Sequence, residues 1–244
     1  MKVIYTLLLI IIFDYSFGQT IQDCSICSNK IIKNDEIEEL SIDEIRLLIN
    51  EIFARNGYQF ENDRFQNFFE NKSWYKSKSD NKNISFTEVE KKNIKFFKDK
   101  IKELQADRQE LVNQLKIFKT QILNNKKEEL KTEFNFYYEN LEGNDEEPKR
   151  LKEVLNKINF DDINYYRNNG LNSVMTDNGF VKIIYELFIE NKEINLYYNY
   201  MSHSKIIKDF DEFTDYHSEG EYMYNWKFEF KNNKLKFIRL LMAG

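Results

Sequence analysis

The chain has 244 residues, a length for one or two domains, and its 41% hydrophobic and 16% aromatic content is enough to build a core. It carries 36 Lys and Arg against 41 Asp and Glu, a net charge of −5, which argues against the basic surface of a nucleic-acid binder. A charged fraction of 32% with a single proline, Pro148, suits long solvated helices more than a loop-rich fold.

The chain opens with Lys2 and an apolar run, Val3 to Phe13, of the length and charge order of a secretory signal. The run is short for a bilayer span and ends at Asp14, so stable membrane insertion is not expected after cleavage. Ser16 and Gly18, two apart, place cleavage after Gly18 and give residues 1–18 as a signal peptide. The excised segment holds Lys2 and Asp14, so the charge of the mature chain is unchanged. Residues 19–39 show no apolar period and are expected to form a polar tail carrying Cys24 and Cys27, the only cysteines. In an oxidising compartment such a pair most often forms a structural disulfide. A redox site would need the first cysteine at a helix N-terminus, and nothing nearby reads as one. Zinc would need about four ligands. Only His203 and His217 could complete such a set, and they lie far off in sequence. No metal or other cofactor is expected.

A helix is predicted from Ser41, where Ser41 and Glu44 have capping-box spacing. Ile45, Leu48, Ile49 and Ile52 make one apolar face, and Glu51 with Arg55 make an i, i+4 pair in the favourable order. Gly57 then supplies the left-handed residue that stops a helix. A short second helix follows Asn62, with Phe65, Phe68 and Phe69 on one side. A third opens at Thr87, with Glu90 at capping-box spacing, and continues through Phe97, Ile101, Leu104, Leu111, Leu115, Phe118 and Ile122. This seam has heptad gaps, with Arg108 at the one skipped position; it reads as a coiled coil or as a helix packed on its own domain. A further helical piece spans residues 126–141, followed by a polar break and a short helix from Pro148.

Beyond residue 178 the period becomes two. Val181, Ile183, Tyr185, Leu187 and Ile189 alternate, as do Ile194, Leu196, Tyr198 and Tyr200, and a turn at Asn191-Lys192 would set Ile189 opposite Ile194. A second hairpin turns at Asn232-Asn233, with Phe230 opposite Leu235 and Glu229 opposite Lys236. At least four antiparallel strands are expected, and the fold class is α+β.

The stretches "LSIDEIRLLINEIFARNGYQF", "FQNFFENKSWYK" and "EKKNIKFF" together resemble the YARHG domain of bacterial exported proteins. The signature run stands here as Phe53-Ala54-Arg55-Asn56-Gly57, with Phe for Tyr and Asn for His; Ala54, Arg55, Gly57 and the trailing Trp74-Tyr75 match. The resemblance implies a small helical extracytoplasmic module that binds something at the cell envelope; no enzymatic activity is established for the family as such. Asn56 removes any role that needs an imidazole. The C-terminal half is similar in outline to NTF2-like or cystatin-like folds, which says nothing of function.

Arg55, Tyr58, Trp74 and Tyr75 read either as a ligand platform of aromatic faces and a guanidinium, or as a helical core with Arg55 bracing a turn. Asp209, Asp211, Glu212, Asp215, Glu219 and Glu221 lack the loop spacing of a calcium site and read as a solvated segment. His203 and His217, near Ser202 and Asp215, come without a nucleophile-elbow motif. No glycine loop for phosphate occurs, and no catalytic residue is assigned. The expected organisation is a signal peptide (1–18), a tail (19–39), a YARHG-like module (40–104), a long helix or helical linker (105–142) and a C-terminal α+β domain (148–244). The expected function is non-catalytic binding in the periplasm or outside the cell, with a peptidoglycan, surface-glycan or protein partner and no nucleic acid. The alternatives are an assembly protein that homodimerises through the long helix and, behind it, a hydrolase in the C-terminal domain.

Overall fold

A computed structural model describes residues 20–78, 80–139, 145–201 and 220–244. The expected signal peptide, His203, His217 and all of the acidic run but Glu221 lie outside the described residues. Among the described residues the chain forms five α-helices and a six-stranded antiparallel sheet, the α+β class expected. By contacts the described residues divide into two compact units: residues 20–40 with Leu47–Phe97, and Ser41–Arg46 with the described part of Lys98–Gly244.

The first unit takes in most of α1 (Ile42–Arg55), all of α2 (Asp63–Glu70) and the start of α3 (Glu88–Leu123). Both capping boxes form. The Ser41 N–H donates to Glu44 Oε2 at 2.9 Å and the Glu44 N–H to Ser41 Oγ at 3.3 Å, while Thr87 and Glu90 exchange bonds of 2.8 and 3.1 Å. The segment expected as a polar tail is instead built into this unit: Ile21, Cys24, Cys27, Ile32 and Ile37 are all buried. Apart from a short 3-10 helix at Asn34–Glu36 they lie in turns and irregular chain, so no period marks them in the sequence. They are held by Asn93, fully buried on α3, which donates to the carbonyls of Cys27 and Lys30 and accepts from the Ile32 N–H.

In the second unit α4 (Lys127–Phe134) and α5 (Glu146–Lys157) accompany a meander of β1 (Asn164–Tyr166), β2 (Asn169–Asp177), β3 (Lys182–Glu190), β4 (Glu193–Met201), β5 (Tyr222–Lys231) and β6 (Lys234–Ala243). Both expected hairpin registers hold: Ile189 pairs Ile194, Leu187 pairs Leu196, Phe230 pairs Leu235 and Glu229 pairs Lys236. Asn191, Asn232 and Asn233 take positive φ at the turns. Past Lys227 a bulge sets Ile238 out of register. Strands β1 and β2 were not anticipated; their exposed positions carry Leu171 and Met175, which blurs the alternation.

Leu111, Leu115, Phe118 and Ile122 of α3 lie in one core with Leu130, Phe134, Leu151, Val154 and the inward strand residues. That stretch is therefore neither a linker nor a free coiled-coil seam. Burying each such side chain stabilises by about 1.5–3 kcal/mol, and these four have found their partners inside the unit. The domain boundary expected before residue 148 is likewise absent, because helices on both sides of it share this core.

Candidate functional site

The turn that ends α1 is built by Gly57, at φ +86°. The Tyr58 N–H donates to the Phe53 carbonyl at 3.0 Å and the Gly57 N–H to the Ala54 carbonyl at 2.9 Å, the paired bonds of a Schellman stop. The Phe53 and Tyr58 rings meet edge to face at 5.4 Å across it. A Cβ on residue 57 would approach Lys78 Cγ to 2.9 Å and the Lys76 carbonyl oxygen to 3.1 Å, so crowding and φ both select glycine.

This stop leaves Arg55 in the last turn of α1, where a cation is favoured. Its Nε and Nη2 donate to Glu51 Oε1 at 2.9 and 2.5 Å, and its guanidinium carbon sits 4.2 Å from the centroid of the half-buried Trp74 ring. The carboxylate and the indole hold the guanidinium plane, leaving Nη1 without a protein acceptor among the described residues. Lys72 Nζ lies 4.9 Å over the exposed Phe68 ring, a second cation–aromatic pair. The Asp23 carboxyl accepts from the Ser25 hydroxyl and backbone N–H; these bonds, and then the fields of Arg55 and Lys72, hold its pKa below the ordinary aspartate value. Two cations, two aromatic faces and two carboxylates, Glu51 and Asp23, thus share the rim.

Of the four residues read from the sequence, Arg55 and Trp74 come together at this rim. Tyr58 and Tyr75 stand behind it. The Tyr75 hydroxyl donates to the Tyr58 carbonyl at 2.7 Å and lies 3.1 Å from Gln66 Oε1, and the Tyr58 ring packs between Phe53 and Phe60. Sequence reasoning missed Lys72, Phe68 and Asp23, which no spacing links to Arg55. It also missed the part played by Asn56. The Asn56 amide donates to the Ile52 carbonyl and to Glu90 Oε1, both at 2.9 Å, tying the end of α1 to the buried carboxylate of a capping box. The position is a donor site, and an imidazole N–H would supply the same bond.

Cys24 and Cys27 are bonded to each other and each is 1% exposed, so this pair is a buried structural link and not an accessible redox centre. In the second unit Glu147 is fully buried and accepts from Trp226 Nε1 at 3.2 Å. Burial, and then the Glu147 charge, push the Tyr138 hydroxyl up to about 12. Among the described residues no three His, Cys, Asp or Glu side chains gather as a metal site, and no helix is long and apolar enough to cross a membrane.

No curated protein and no solved structure matches the chain. One family does, over about a third of the length, and its match begins upstream of α1 and takes in Cys27 but not Cys24. The segment that carries the Schellman stop, the disulfide's second cysteine and the Arg55–Trp74 pair, residues 25–106, matches the YARHG domain.

Proposed function

We propose that the protein is exported to the periplasm or the cell exterior and serves there as a non-catalytic binding protein of the cell envelope, with peptidoglycan or another surface glycan as ligand. The observation that carries this reading is the Arg55 guanidinium held over Trp74 at a solvent-facing rim. Sugar rings present C–H faces to an indole, and the stem peptides and acidic sugars of cell walls present carboxylates to a guanidinium. Lys72 and Phe68 extend the same chemistry, while Tyr58 and Tyr75 keep the rim in place. The amino-terminal signal, the disulfide and the YARHG match support an extracytoplasmic address. The homodimer reading draws less support, because the half of the seam from Leu111 to Ile122 is spent inside the chain's own core.

The test is co-sedimentation of residues 19–244 with purified sacculi. Binding should fall about ten-fold in Arg55→Ala and in Trp74→Ala, with circular dichroism of both unchanged. Full binding by both folded variants would sink the assignment. Soluble fragments released from the sacculi should stay at background; steady release would mean an enzyme.

A further inference from the structure

The apolar seam of α3 is broken once, at Arg108, and that residue stands in the wall of a cleft within the second unit of about 290 Å³, near the lower end of small-molecule sites. Its guanidinium carbon lies 4.0 Å from the Tyr165 ring centroid, and Nη2 donates to the Arg167 carbonyl at 2.8 Å. One face and one edge are thereby fixed. The other charges of the cleft are already matched: Arg46 with Asp43 at 3.0 Å, and Asp161 with Lys116 at 2.5 Å. Among the described residues Arg108 has no carboxylate within 4 Å, although burial draws its pKa below the ordinary arginine value. A half-buried, oriented and unneutralised guanidinium is a receptor for a planar anion. Ile42, Val112, Phe160 and Ile163 give the cleft an apolar floor, and Gln105 and Gln109, one turn apart, add amide donors and acceptors. The Tyr165 hydroxyl is buried without a hydrogen-bond partner among the described residues.

We propose that this cleft binds a small carboxylate with an amide and an apolar body, of the kind that ends a peptide or an N-acylated amino acid. The carboxylate pairs with Arg108, the amide with Gln105 or Gln109, and the apolar group lies on Ile42 and Phe160. This site shares no residue with the Arg55 rim and does not depend on glycan binding there.

The probes are N-acetyl-leucine and its uncharged counterpart N-acetyl-leucinamide, titrated into the whole protein with the arginine Nε–H resonances followed by NMR. The acid should saturate, with Arg108 Nε–H shifting, and the amide should bind about ten-fold more weakly. Arg108→Gln should bring the acid down to the amide's level, and Arg108→Lys should fall between. Sedimentation with sacculi should be unchanged in Arg108→Gln. Equal binding of acid and amide by the wild-type protein, or no saturation by the acid up to about 10 mM, overturns the proposal without recourse to any variant. Undiminished acid binding by Arg108→Gln overturns it as well.

Discussion

Asn56 shows how one side chain ties two helices together. Its amide fills a lone pair of Glu90, a carboxylate with 5% exposure whose other oxygen caps the backbone at Thr87. Removing the donor leaves a buried acceptor short of a partner, a loss of about 1–3 kcal/mol. Asn56→Ala should therefore lower the melting temperature of the protein. Asn56→His should recover most of the loss, because an imidazole N–H can replace the amide. Asn56→Asp should be the worst of the three, since it sets two carboxylates side by side. A denaturation series that ranks alanine below aspartate, or histidine with alanine, would show that the bond to Glu90 is not what matters. The glycine stop, the Glu51–Arg55 pair and both capping boxes could be read from the sequence because each joins residues three to five apart. The bond from Asn56 to Glu90 spans 34 residues, and no local pattern announces it.

At the scale of elements, local rules carry most of the weight. The β5–β6 hairpin agrees with its sequence because turn, apolar face and charge pair all require one register. Asn233 holds φ +57°, a conformation that costs a β-branched residue about 1–2 kcal/mol and glycine nothing. Asn233→Val should destabilise the second unit by about that amount and Asn233→Gly should leave it unchanged or slightly stabler, measured by urea unfolding. The loop before α1 is braced differently. Lys30 lies 2.7 Å from Glu36, and this bond, more than the backbone N–H of Lys33, holds the Glu36 carboxyl below the ordinary glutamate value. A depressed carboxyl contributes stability that is complete above pH 4.5 and is lost as the pH falls through the lowered value. Lys30→Met should flatten that acid-side loss, seen as melting temperatures that converge with the parent's at low pH. Strands β1 and β2 escaped the sequence because Leu171 and Met175 face solvent while Asn172 faces in, where its amide serves the backbone of Asn159 and Asp162.

For the whole molecule, the destination of the α3 seam matters most. Leu111 is 4% exposed within the second unit's core, so Leu111→Asp would bury a charge with no partner. That change should cost more than about 4 kcal/mol and unfold the second unit, with loss of sheet signal in circular dichroism. A folded Leu111→Asp protein with a halved solution mass would instead return the seam to a dimer interface. Capping, periodicity and turn chemistry act over a few residues, so the helix starts, the two hairpins with their registers, the α+β class and the cysteine pair are legible in the sequence, whereas the helix expected over 126–141 ends at Phe134, where Asn135 turns left-handed. Long-range packing sets the rest: residues 20–40 belong to the first unit, α3 is core and not linker, and Arg55 meets Trp74 while Arg108 meets Tyr165. Those outcomes depend on which apolar faces find each other across long stretches of chain. A heptad pattern states that a face will be buried; it does not state against what.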